Sequence, residues 1–105
     1  FSKQKHNIGI EKILNTVTKH YGVPLSQLHS KRKLKSITLP RQIAMHLARK
    51  FTNLSLGEIG GYMGGRDHTT VMHADDKIKK LKSIDRNMSS TLRKLESTLI
   101  KQQEH

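Results

Sequence analysis

Residues 55–74 run SLGEIGGYMGGRDHTTVMHA, and the architecture follows from them. Ser55 and Glu58 stand in Ser-x-x-Glu spacing, a capping box that starts a helix by satisfying two of its exposed backbone N–H groups. Leu56, Ile59 and either Tyr62 or Met63 then recur at helical spacing and supply a buried face. Gly64-Gly65 stops that helix through a left-handed turn. Asp67 caps a second helix, about 67–82, whose inward positions Val71, Ala74, Ile78 and Leu81 keep the same period. Two helices joined by a glycine turn, at 55–63 and 67–82, form a helix-turn-helix. Many helical proteins contain such a corner, so function rests on the outer surface of the second helix.

That surface carries Arg66, His68, Thr69, Thr70, His73, Lys77 and Lys80. The set suits a helix that enters the DNA major groove by its N-terminus. Threonine offers a hydroxyl and a methyl for phosphate or the thymine methyl, and histidine donates to base acceptors. Asp67 reads as a helix cap, as an acceptor for a cytosine amino group, or as both. Lys77 and Lys80 are placed for phosphates, and the backbone N–H groups at the helix start add a further phosphate site. Asp67, His68 and His73 make a poor metal set. The two histidines lie five residues apart and do not share a helix face, and no third strong ligand is evident, so no metal site is expected.

Upstream, residues 30–36 (SKRKLKS) are a basic stretch too short and irregular for a core, and read as a loop. A core helix is expected at 39–52, with Pro40 in its first turn and Ile43, Ala44, Leu47, Ala48 and Phe51 as its apolar stripe. Met45 and Tyr62 are also assigned to the core. Arg41, near the start of this helix, opposes the macrodipole and so points to binding rather than stability. Arg49 reads equally as surface or as a phosphate contact. The first helix, about 8–21 with Asn7 as its cap, buries Ile10, Ile13, Leu14 and Val17, and Gly22 and Pro24 end it. A short turn at Pro24–His29 directs Leu25 and Leu28 inward. A last amphipathic helix at 87–101, through Met88, Leu92, Leu95 and Leu99, covers the core. Residues 1–6 read as a linker remnant and residues 7–105 as one domain. No strand pattern or internal repeat occurs, which makes the fold class all-α: a compact helical domain with a helix-turn-helix, a basic loop and a C-terminal packing helix.

At 105 residues, with 33% apolar residues and no Trp, there is room for one modest core but not for a deep substrate cavity. Twenty Lys and Arg face eight Asp and Glu, for a formal net charge of +12. The excess is lopsided, since residues 1–50 carry eleven Lys and Arg against Glu11 alone. Such a field attracts polyanions, either nucleic acid or an anionic membrane surface. The absence of cysteine excludes disulfides, thiol chemistry and zinc fingers. No phosphate-binding Gly-Lys-Ser/Thr loop or nucleophile–base pair is present, so the chain is not expected to be an enzyme and no cofactor is expected in it. The rival to a DNA reader is a membrane-surface module, with the helix at 8–21 and Lys3, Lys5, Lys12 and Lys19 lying on anionic lipid. The chain begins with Phe1 rather than Met and reads as a fragment of a longer protein.

The run Gly64-Gly65-Arg66-Asp67-His68-Thr69-Thr70-Val71, followed by His73-Ala74, resembles the signature of the C-terminal domain of the DnaA family of bacterial replication initiators. Pro40-Arg41-Gln42-Ile43-Ala44-Met45, the Lys31-Arg32-Lys33 loop and Leu56-x-Glu58-Ile59-Gly60 keep the family's order and spacing, over roughly residues 8–82. The resemblance implies binding to DnaA boxes, short asymmetric duplex elements at the replication origin and some promoters. It implies base reading in the major groove by Asp67, His68 and Thr69, supported by Leu56, Arg66, Thr70, His73 and Lys77. Arg41 and Gln42 would grip the backbone. The loop residues Lys31, Arg32 and Lys35 would lie along the backbone and send Lys33 into the adjacent minor groove. Lys33 stands where several family members have Arg, and Gly57 where some have Pro. The Gly57 backbone N–H can donate to a phosphate, which Pro cannot. The resemblance further implies an upstream AAA+ domain that binds ATP and Mg2+, a monomeric fragment, and a full-length protein that oligomerises on origin DNA. A cytoplasmic, nucleoid-associated location and contact with acidic phospholipid near the N-terminal helix are also implied.

Overall fold

The computed structural model describes residues 8–103, so Asn7 and the linker stretch at 1–6 lie outside the described residues. Six helices follow in order: α1 (Ile10–Tyr21), α2 (Leu25–His29), α3 (Lys35–Phe51), α4 (Leu56–Tyr62), α5 (His68–Ile84) and α6 (Arg86–Gln103). Among the described residues there is no strand, and no helix is long and apolar enough to cross a membrane.

Helix α3 is the axis of the molecule. From Arg41 to Ala48 every residue but Gln42 is buried, because α1, α2, α4 and α5 all pack against it. It starts four residues earlier than the sequence suggests. The Leu34 carbonyl accepts from Ile37 and Thr38 N–H, closing a helical turn before Pro40, and the buried Ile37 anchors that turn. Pro40 is therefore an interior residue of α3. The N–H it lacks would have bonded the carbonyl of Ser36, an exposed residue, so the helix tolerates it there. Lys35 and Ser36 thus belong to α3, and the basic loop shortens to residues 30–34.

Around this axis, α1 inserts Ile10, Ile13, Leu14 and Val17 into the core, and Gly22 closes it with an N–H bond to the Thr18 carbonyl. The single turn of α2 has one buried position, which Leu28 fills; Leu25, expected inside, is 42% exposed. The Ser55–Glu58 capping box is present in full at the start of α4. Ile59 and Met63 are fully buried, whereas Tyr62 is 48% exposed and is not a core residue as expected. One residue, Asp85, separates α5 from α6, and its carboxylate caps α6 by accepting from Asn87 and Met88 N–H. Met88, Leu92, Leu95 and Leu99 then bury the inner face of α6 against α1 and α5. This leaves the N-terminal end of α5 uncovered at one end of the bundle.

Candidate nucleic-acid interface

The turn between α4 and α5 is held from both sides. The Gly60 carbonyl accepts three backbone N–H groups, from Met63 at 3.0 Å, Gly65 at 3.1 Å and Arg66 at 2.9 Å. A Cβ on Gly60 would collide with the Arg66 carbonyl oxygen, so only glycine allows the turn to fold back this tightly. Gly64, at φ 85°, is pressed against the His29 carbonyl, where a side chain would strike α2. The helix-turn-helix corner therefore sits flush on the end of α2.

From this corner α5 starts with an exposed polar edge. Asp67 accepts the Thr70 backbone N–H at 2.9 Å and is the N-cap. That hydrogen bond, with help from the Thr70 side chain, holds the Asp67 carboxyl below the usual carboxylate range. His68 and Thr70 are exposed and Thr69 is half-buried. Further along the same outward side stand His73, Lys77 and Lys80, all exposed. The opposite side of α5 is locked in the core by Val71, Ala74 and Ile78, so its rotation about its own axis is fixed.

Beside this edge lies a groove between α3 and α5, lined by Thr38, Gln42, Thr70, His73 and Lys77 among others. Gln42 is half-buried there, and both its Oε1 and the Thr38 hydroxyl are buried without a partner among the described residues. Lys31, Arg32, Lys33 and Lys35 are exposed, as is Leu34. Leu56 is half-buried at the start of α4, and Gly57 is exposed, with the Ser55 hydroxyl 4.0 Å from where a Cβ would stand.

Arg41 and Arg66, both expected to support DNA binding, line the same groove, and the protein itself takes most of the Arg41 donors. Arg41 is buried, and four of its five N–H donors go to the protein. Its Nε donates to Leu28 O at 3.0 Å, Nη1 to Arg32 O at 3.0 Å, and Nη2 to Gln27 O at 3.1 Å and Ser30 Oγ at 3.4 Å. A phosphate would have to compete with these acceptors. Arg66, half-buried beside it, donates to the Met63 carbonyl, to Ser30 O at 2.6 Å and more weakly to Leu28 O at 3.5 Å. Burial lowers the proton affinity of both guanidiniums, and Arg66 adds to the effect on Arg41. Both remain cations, since an ordinary arginine ionises far above neutral pH.

A second polar cluster was not legible in advance. Asp75, on the inner side of α5, is buried and accepts from His46 Nδ1 of α3 at 2.7 Å. Its other oxygen lies 3.1 Å from Lys79 Nζ and 3.7 Å from Arg49 Nε. Arg49, a candidate phosphate contact, thus shares its charge with Asp75 while its side chain stays 47% exposed. Burial pushes the His46 imidazole below its ordinary value, against the opposing pull of Asp75. One signal was available: Asp75 lies at helical spacing from Val71 and Ile78, which is a core register. Among the described residues no group of three His, Asp or Glu side chains could hold a metal ion.

A core-locked helix with an exposed polar start, set on a glycine corner beside a cationic loop, defines a helix-turn-helix DNA-binding domain. The chain belongs to the bacterial DnaA helix-turn-helix family, whose description, bacterial dnaA protein helix-turn-helix, matches residues 10–78. It is similar to the chromosomal replication initiator protein DnaA of Latilactobacillus sakei subsp. sakei (strain 23K), with 42% identity over 92 residues, 88% of this chain. The aligned part is 20% of that protein, so the chain spans about a fifth of the length of this curated relative.

Proposed function

We propose that this chain reads DnaA boxes in duplex DNA, at a replication origin and at some promoters, as a step in replication initiation. The observation that carries the proposal is the fixed rotation of α5, which leaves Asp67 and His68 exposed and Thr69 half-exposed at its start while Val71, Ala74 and Ile78 stay in the core. In this arrangement α5 enters the major groove by its leading edge, and those three residues contact base edges. Thr70, His73 and Lys77, with Gln42 across the groove, face the phosphates along one flank. Arg49, Leu56 and Gly57 are supporting contacts. The loop of Lys31, Arg32 and Lys33, continued by Lys35, follows the backbone beside the adjacent minor groove, which Lys33 enters.

Other parts of the proposal concern the longer protein. An upstream domain would supply ATP and Mg2+ binding and assembly on origin DNA, and this domain would act as its monomeric address module in the bacterial cytoplasm, on the nucleoid. Acidic phospholipid is a secondary partner. Because the apolar face of α1 is buried in the core, lipid would meet only its outer basic residues, such as Lys12 and Lys19. Liposome pelleting with and without anionic lipid tests that contact.

Selection of bound sequences from a random duplex pool tests the main reading. Enrichment of one short asymmetric A/T-rich element is the expected result. A pool that stays random after several rounds, at a salt concentration where the protein still binds DNA, overturns sequence-specific reading.

A further inference from the structure

We infer that Arg41 and Arg66 form a two-guanidinium clamp that sets the position of the basic loop against the recognition helix, α5. The inference rests on the DNA-reading proposal, and it gives these arginines a positioning role besides the DNA contact expected of them from the groove that both line.

The loop has little else to hold it. Helix α2, which leads into it, is a single turn with one buried residue, Leu28, and the loop's own apolar side chain, Leu34, is 57% exposed. The end of α2 and the start of the loop instead present a row of carbonyls at Gln27, Leu28, Ser30 and Arg32. A helix C-terminus leaves such oxygens unpaired and carries partial negative charge, which suits a cation. Arg41 reaches them from the central helix α3, and Arg66 from the turn between α4 and α5. Leu28 O accepts from both, at 3.0 Å and 3.5 Å. The carbonyl row is what allows two guanidiniums to sit together without an acidic partner among the described residues.

Geometry favours arginine at both places. A planar fork can bind several carbonyls at once, whereas the compact ammonium of lysine cannot span them. The contact of Gly64 with the His29 carbonyl presses the same corner onto α2. Loop and recognition helix are thereby joined into one reader before DNA arrives, and the entropy of ordering the loop is lost on folding instead of on binding.

The test uses the duplex enriched by pool selection and four proteins: wild type, Arg41→Lys, a loop-neutral Lys31→Ala/Arg32→Ala/Lys33→Ala variant, and the combination. Arg41→Lys keeps the charge and loses the fork. It is expected to weaken binding on the order of tenfold, the cost of ordering one or two long side chains on binding. The salt slope should stay unchanged, because the charge is kept, and the loss should be smaller in the loop-neutral background. Wild-type affinity for Arg41→Lys, or a loss that persists undiminished in that background, overturns the clamp. Arg66→Lys is measured in parallel and is expected to behave alike. Hydrogen exchange of the free protein gives a readout that needs no DNA. Either lysine variant should speed exchange at Ser30 and Arg32, whose N–H groups bond Gln27 O and Ser30 Oγ, while the amides of α3 and α5 keep their protection; unchanged exchange at Ser30 and Arg32 overturns the clamp. If wild type binds no duplex, the DNA reading fails, and exchange still decides the clamp.

Discussion

The Asp67 carboxylate accepts the Thr70 N–H and still has acceptor capacity to spare, since a carboxylate offers about four lone-pair sites. It can therefore cap α5 and meet a base amino group from one place. His68 and Thr69 have no capping duty, and their removal isolates base reading. His68→Ala or Thr69→Ala should cost about 1–3 kcal/mol of specific binding and relax the preference at particular base pairs. Lys33→Ala should weaken all sequences more evenly and reduce the salt slope by about one unit. Titrations against the selected duplex and single-position variants of it, at several salt concentrations, check both, and the reverse assignment sinks the docking arrangement. His46 carries a prediction about stability. Its proton affinity is lower in the folded chain than in the unfolded one, so stability is fully present above about pH 6.5 and is lost as acidification charges the imidazole. The groups facing it are Asp75, Lys50 and Glu96, with Arg49 and Lys79 around Asp75. His46→Asn keeps a donor for Asp75 without titrating. Between about pH 7.5 and about pH 5 its melting temperature should fall less than that of wild type. Parallel curves would contradict this.

Among the elements, α4 and its turn are the most tightly specified. The capping box fixes where α4 begins, and the triple acceptor at Gly60 fixes where the chain leaves it. Neighbouring glycines should therefore differ sharply under one substitution. Gly60→Ala forces a methyl group into the Arg66 carbonyl, and should destabilise the domain and abolish DNA binding together. Gly61→Ala meets nothing within 4 Å and lies inside α4, so it should raise stability by about 0.5–1 kcal/mol with affinity unchanged. Urea melts and titrations of the two variants separate the cases, and equal tolerance would mean the corner is not folded as described. Helix α6 differs in kind. It contributes an apolar stripe to the core and lies on the far side of α5 from the polar edge, so its effect on DNA is through stability alone.

At the scale of the whole molecule, charge and shape divide the labour. A formal charge of +12 on 105 residues supplies attraction to any polyanion, whatever its sequence. Selectivity needs the bundle, because only a core gripping α5 along one side can hold a polar edge outward at a fixed angle. Binding should therefore fall steeply with salt, by about 0.9 in log affinity per log unit of salt for each phosphate neutralised. Fluorescence anisotropy across a tenfold salt range measures that slope, and a flat line removes phosphate contact from the account.

What the chain's own pattern determined is local. The capping box at Ser55, the glycine stop, the Asp67 cap, the stripe through α5 and the leucine row of α6 depend on residues three or four apart, and such spacing is visible in one dimension. Contacts across longer separations were decided by the fold. Arg41 was read only as a grip on the DNA backbone because its acceptor at Leu28 lies 13 residues away, and Arg66 meets the same carbonyl across 38. His46 and Asp75 pair across 29 residues, and Tyr62 faces outward because Met63 fills the space beside Ile59. Even the start of α3 moved, since a buried Ile37 outweighs the helix-breaking tendency of Pro40. A side chain's period shows which way it points; which partner waits there is settled only when the helices pack.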